Sequence, residues 1–203
     1  MNLRMNKRVF TLMLALCTGM GLAGSAQAAA AKGEFGIKGI GASDCATAVR
    51  EYKAGTPNAM MYGGWLYGYM TALNQSSPDT FDLATWQDLN TLSNFLIEYC
   101  AKNPNMSFAQ AVFNMTNALK PMRLKTMSQP VRFRKNDKDF VLYGEVISRM
   151  GRTLAAKGFY KGNAADKPVF TEEMSRALAQ FQTRNKLPAT GEPDQFTLFR
   201  LFN

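Results

Sequence analysis

Residues 171–202 read TEEMSRALAQFQTRNKLPATGEPDQFTLFRLF, and the structural choices in this stretch are almost all local. Thr171 stands where a helix cap belongs. Glu172 and Glu173 follow in the first turn, where carboxylates complement the exposed N–H groups of a helix start. Met174, Ala177, Leu178 and Phe181 recur at helical spacing and supply one apolar face. Leu187-Pro188-Ala189-Thr190-Gly191 is a tight turn. Asp194 or Pro193 then opens a last short helix with Leu198, Leu201 and Phe202. Upstream, a helix beginning near Val141 runs through Val146, Ile147, Met150, Leu154 and Ala155, and Gly158 stops it as a left-handed cap would. The aromatic turn Phe159-Tyr160-Lys161-Gly162 follows it. Three short helices predict a small helical domain over residues 140–203.

The order and spacing of these residues resemble a known family. Leu154-x-x-x-Gly158-Phe159-Tyr160-x-Gly162, then Thr171, then Ala177-Leu178-x-x-Phe181-Gln182, Leu187-x-x-Thr190-Gly191 and Thr197-x-x-x-Leu201 look like the three-helix peptidoglycan-binding domain. One segment departs from it: Asp166-Lys167-Pro168-Val169-Phe170 replaces the usual Asp-Gly-x-Phe-Gly before the second helix, which changes the groove beside that loop. The resemblance implies peptidoglycan as the partner, with Phe181 and Leu201 in the core and Gly158 and Gly191 required by the backbone. A ligand site is expected where Tyr160, Phe170, Gln182 and Thr190 converge. Aromatic faces suit sugar rings, and amide and hydroxyl groups suit the amides of stem peptides. Gln182 taken alone reads more readily as a satisfied buried amide.

A second helical unit precedes this one, over residues 42–120, after an Ala- and Gly-rich lead-in at 29–41. Ser43 or Asp44 caps a short helix that buries Cys45, Val49 and Tyr52, and Gly55-Thr56-Pro57 breaks it. Asn58 starts a longer helix with Met61, Trp65, Tyr69 and Leu73 at a spacing of four, widened by Leu66 and Met70. Gly63, Gly64 and Gly68 lie inside it, each costing roughly 1 kcal/mol against Ala. That points to close approach of a neighbour or to a surface kept open for a partner. After Ser76-Ser77-Pro78, Asp82 reads as the cap of a third helix carrying Leu83, Trp86, Leu89, Leu92, Leu96 and Tyr99 as far as Cys100. Ser107 and Gln110 form a capping box for a fourth helix with Ala111, Val112, Met115 and Leu119 inside. Residues 121–139 show no period and carry six cations, Arg123, Lys125, Arg132, Arg134, Lys135 and Lys138. They read as a basic linker, or as a basic strap lying on an anionic polymer. The expected fold is therefore all-α: a disulfide-linked helical bundle followed by a small three-helix domain.

The first residues bear on compartment. Arg4, Lys7 and Arg8 precede an apolar stretch, and Ala26-Gln27-Ala28 supplies a small-x-small cleavage pattern, so residues 1–28 read as a signal peptide. The stretch is shorter than the roughly 20 residues that cross a bilayer, and no later segment is apolar enough, so no membrane span and a periplasmic location are expected. Removing three basic and no acidic residues lowers the net charge from +9 to +6. A positive surface is drawn to anionic envelope polymers. Nucleic acid is not an expected partner of an exported chain. Cleavage also removes Cys17 and leaves Cys45 and Cys100, an even pair that reads as a disulfide.

The chain contains no histidine among its 203 residues. Zinc hydrolases lose their imidazole ligands and serine or cysteine hydrolases their usual base. Glu51, Asp79, Asp82, Asp88 and Glu98 would remain for a carboxylate-only glycan hydrolase, but they fall at helix starts and polar faces. The expectation is a non-enzymatic protein with no cofactor and no metal site. In the bundle, Cys45, Gly64-Trp65-Leu66-x-Gly68-Tyr69 and Tyr99-Cys100-x-x-Asn103-Pro104 are similar to small disulfide-linked periplasmic helical proteins. Those include acid-stress chaperones of the HdeA type and immunity proteins against type VI secreted wall amidases. This likeness implies a protein partner, either a wall hydrolase or a chaperone client, and leaves an acid-stress chaperone or an immunity-type inhibitor as alternative roles.

Overall fold

Helix caps and apolar faces assemble two cores that meet along one irregular segment. The computed structural model describes residues 34–162 and 168–203; the expected leader, with Cys17, lies outside them. The molecule is mostly helical. The bundle consists of α1 (Cys45–Ala54), α2 (Pro57–Ser76), α3 (Leu89–Lys102) and α4 (Phe108–Leu119). Asp44 caps α1 by accepting from the Thr47 N–H, and Gly55 ends it in the left-handed region at φ 63°. Ser107 caps α4 through the Gln110 N–H. The Gln110 side chain turns to Asn114 instead of returning to the cap, so only half of the capping box forms.

The core of the bundle contains Tyr62, Leu66 and Met70 of α2, Leu92 and Leu96 of α3, and Phe108, Ala111 and Val112 of α4. Met61, expected inside, is 57% exposed, because the buried stripe of α2 runs through Tyr62, Leu66 and Met70. The glycines of α2 divide between the two expected roles. Gly63 lies against Leu89, 3.2 Å from where a Cβ would stand, whereas Gly64 and Gly68 face open space among the described residues.

The third helix begins at Leu89 and not near Leu83, and its cap is Asp88, which accepts from the Thr91 N–H. Asp82 is occupied elsewhere. Its carboxylate accepts from Asn74 at 3.1 Å, from the Ala84 N–H at 3.1 Å and from the Tyr143 hydroxyl at 3.0 Å, while its backbone pairs with Leu124. With those acceptors filled, Asp82 cannot start a helix, and residues 81–88 cross between the two cores instead.

The stretch read as a linker contains regular structure that an all-α reading omits. β1 (Pro130–Lys135) and β2 (Lys138–Tyr143) form an antiparallel hairpin, with Phe133 opposite Phe140 and Lys135 opposite Lys138. Asn136 and Asp137 make its turn with φ of 46° and 60°. Two left-handed residues in succession give the turn whose twist matches that of the strands. Val141 consequently lies in β2, and the helix expected near it starts later, as α5 (Gly144–Ala156), followed by α6 (Glu172–Arg184) and α7 (Gln195–Phe202). These three pack around Val146, Ile147, Met150, Leu154, Leu178 and Phe181.

Trp86 joins this second core although its neighbours in sequence belong to the bundle. The Gln195 amide holds it there, donating to the Trp86 carbonyl at 2.8 Å and accepting from the Asp88 N–H at 3.2 Å. Phe95 of α3 meets Phe199 of α7 with ring centroids 5.4 Å apart.

The Cys45–Cys100 disulfide joins α1 to the end of α3 across 55 residues, and both cysteines are fully buried. Replacing both by alanine is expected to lower the unfolding free energy by about 4 kcal/mol through the loop it opens in the unfolded chain. Urea midpoints of the oxidised protein and the double variant measure this, and equal midpoints would contradict it.

Candidate functional site

The four residues expected to form a ligand site fall into two groups. Gln182, on the inner face of α6, is fully buried. Its Oε1 accepts from the Gly191 N–H at 2.8 Å, and its Nε2 donates to the Glu192 carbonyl at 3.0 Å, to the Thr197 hydroxyl at 2.9 Å and to the Thr190 hydroxyl at 3.3 Å. Both Nε2 hydrogens are committed within the protein, and full burial keeps the amide out of reach of a ligand. Tyr160 is 8% exposed and packs with the core of the second unit. Of the expected set, the structure brings Gln182 and Thr190 into contact and leaves Phe170 and Thr190 half exposed.

Phe170 has partners that the sequence reading did not include. Its ring stacks on Phe133 of β1 with centroids 4.5 Å apart and planes 19° from parallel, and Phe133 stacks in turn on Phe140 of β2 at 5.5 Å. All three are half-buried, so they form an aromatic ladder beside the segment that leads into α6. The alternation of Val131, Phe133 and Lys135 before the Asn136-Asp137 turn signals the strand that carries Phe133, though not its pairing with Phe170.

Charge fixes the hairpin tip against the helices. Lys138 Nζ stands 2.7 Å from Glu192, whose side chain is 5% exposed, and Lys135 stands 2.9 Å from Glu172 in the first turn of α6. Asn136 donates both to Glu192 at 3.0 Å and to the Thr190 carbonyl at 3.0 Å. The hydrogen bond from Lys138 holds the Glu192 carboxyl below its ordinary range, aided by Asn136 and opposed by burial. Gly191 sits between these groups at φ 67°, and a Cβ there would come within 2.5 Å of Ser175 Oγ and 2.7 Å of its carbonyl oxygen. Only glycine fits both demands. Among the described residues no group of three His, Cys, Asp or Glu side chains is placed to hold a metal ion, and no helix is long and apolar enough to cross a membrane.

With this geometry in view, the comparison with protein families is specific about place. Residues 144–201 match the family described as "Putative peptidoglycan binding domain". That span runs from the first residue of α5 nearly to the end of α7, as the motif order of the sequence implied. No curated protein and no solved structure matches the chain. The hairpin lies outside the matched span and is pinned to it by the contacts just described.

Two outcomes are expected. Gln182→Ala strands a buried N–H and a buried carbonyl at once, and is expected to cost about 3 kcal/mol, read as a shift in urea midpoint; a shift within error would show that the amide does not organise the loop. Because the Glu192 pKa is depressed by folding, its contribution is present above the unfolded carboxyl range and is lost as pH falls through the folded value. The stability gap between the wild type and Glu192→Gln should therefore be constant near neutrality and narrow as pH falls below the ordinary glutamate range of about 4.5. A gap that stays constant on acidification would remove Glu192 from the account.

Proposed function

We propose that this is an exported, non-enzymatic, cell-wall-associated protein that holds peptidoglycan through its C-terminal region and engages a protein partner through its bundle. The observation that carries the reading is the match of residues 144–201 to a peptidoglycan-binding family. The basic balance of the chain and its cleavable-looking leader agree with it.

Within the expected site, the roles divide by burial. Phe170 and Phe140, each stacked on Phe133 through one ring face, would offer their other faces to sugar units, and Thr190 offers a half-exposed hydroxyl beside the hairpin tip. Tyr160 and Gln182 act from within as positioning residues: one packs in the core of the second unit, and the other fixes the backbone from Thr190 to Glu192. The partner of the bundle, a wall hydrolase or a chaperone client, would meet the exposed face of α2. Met60 is 83% exposed there, beside Met61, Tyr67 and the two open glycines.

Co-sedimentation with purified sacculi tests the reading on the full chain without its leader. The wild type should pellet with sacculi, and Phe170→Ala and Phe133→Ala should each weaken pelleting severalfold while leaving the helical circular dichroism unchanged. A folded wild type that stays wholly in the supernatant would overturn the wall-binding role. A wild type that solubilises the sacculi would overturn the non-enzymatic one.

A further inference from the structure

Beyond the aromatic ladder, a cleft of about 720 Å³ opens between residues 121–129 and the first half of α5. One wall is the irregular chain leading into β1, and the other is Gly144, Glu145, Ser148 and Arg149. Most of it lies outside the span that matches the peptidoglycan-binding family.

Three features of the cleft converge. The first is an uncompensated cation. Arg149 is half-buried, donates through one nitrogen to the Met122 carbonyl at 2.6 Å, and has no carboxylate within 4.0 Å among the described residues. Burial pushes its guanidinium below the ordinary range; Glu145 opposes this and Arg152 adds to it. Glu145, the one acid among the described residues that line the cleft, is engaged by Arg152 at 2.6 Å, while Arg123 and Lys125 add positive charge to the opposite wall. A half-buried guanidinium on a cleft wall, with donors beyond the one given to Met122, is a group that an anion can complete by charge-assisted hydrogen bonds.

The second feature is an open backbone edge. Lys125, Thr126, Met127 and Ser128 make no backbone-to-backbone hydrogen bond among the described residues, although the chain on either side does, Leu124 to Asp82 and Gln129 to Gly144. A row of unpaired amides beside a cleft is what an added peptide backbone pairs with. The third feature excludes a simpler site. The helix start at α5 is already occupied, since the Gly144 N–H donates to the Gln129 carbonyl at 2.9 Å and the Glu145 N–H to Ser128 Oγ at 3.0 Å. An anion entering the cleft would therefore meet the arginine and not a free helix terminus.

We propose that this cleft binds a short peptide with a free carboxylate, Arg149 taking the carboxylate and the Lys125–Ser128 backbone pairing along the peptide. Resting on the wall-binding reading, this identifies the peptide part of the wall polymer as the ligand of the cleft and leaves the sugar part to the ladder. Apolar lining from Leu124, Val131 and Pro168 suits peptide side chains better than a polyphosphate or a lipid headgroup.

The test uses the full chain without its leader and a synthetic wall stem peptide, as the free acid and as the C-terminal amide, in isothermal titration. The acid should bind the wild type about tenfold or more tightly than the amide, the difference expected of one Arg–carboxylate pair. Arg149→Gln should abolish that preference. Because this variant also loses its bond to the Met122 carbonyl, the acid-against-amide comparison on the wild type stands independently of it. Equal binding of acid and amide overturns the proposal, as does stronger binding of phosphatidylglycerol vesicles or inorganic phosphate than of the acid peptide. Peptide discrimination without pelleting on sacculi would sustain the cleft and overturn the wall-binding reading. Pelleting without peptide discrimination would do the reverse.

Discussion

The primary amide of Gln182 is the point on which the C-terminal unit turns. A buried amide left unpaired costs more than its hydrogen bonds return in water, so its position dictates what surrounds it. Here it answers Gly191, Glu192, Thr190 and Thr197 together, which draws the loop after α6 back over that helix and sets the start of α7. Gly191 must be glycine for the loop to pass Ser175 at that distance. Glu192, carried to the right place, becomes the buried anion that Lys138 and Asn136 grip. The hairpin is thus held by a consequence of one amide in α6, and the aromatic ladder is held by the hairpin.

The same economy governs the joint between the two cores. Asp82 accepts from Asn74 of α2 and from Tyr143 at the end of β2. Burial and the Asp82 carboxylate push the Tyr143 phenol up to about 12, so it remains the donor to Asp82 well into the alkaline range. Trp86, four residues on, is anchored in the other core by Gln195. A segment whose side chains alternate between two cores cannot be helical, because helical periodicity would turn both anchors to one side.

Much of the helical frame was legible because caps are local. Asp44, Ser107, Thr171 and Asp194 each accept from the N–H three residues on, and Gly158 ends α5 with φ 81°. The third helix was misread because Asp82 and Asp88 both suit a cap, and only tertiary partners, Tyr143 above all, decide between them. The hairpin was hidden by its charges. Arg132, Arg134, Lys135 and Lys138 mask the alternation of Val131, Phe133, Phe140 and Leu142, and the Asn-Asp turn lacks the glycine that usually marks such a hairpin. Gln182 and Thr190 could be placed together from motif spacing, but Phe133 and Phe140 lie outside the matched family span, and nothing in their own segment ties them to Phe170.

Electrostatics separates approach from selection. Three acids of the C-terminal unit are already matched, Glu172 to Lys135, Glu192 to Lys138, and Glu145 to Arg152. What remains unmatched among the described residues includes Arg123, Lys125, Arg132 and Arg149, on or beside the segment from 121 to the start of α5. Exposed charges act over about 8 Å at physiological ionic strength and are weakened by salt, so on the proposed role they would draw an anionic polymer to this side without choosing among polymers. Choice requires groups that water does not reach equally. Arg149 is half-buried and burial lowers its pKa, and the half-buried Phe133, Phe140 and Phe170 are the stacked rings at the hairpin. Selectivity should therefore survive added salt better than affinity does, because the screened cations are not the groups that discriminate.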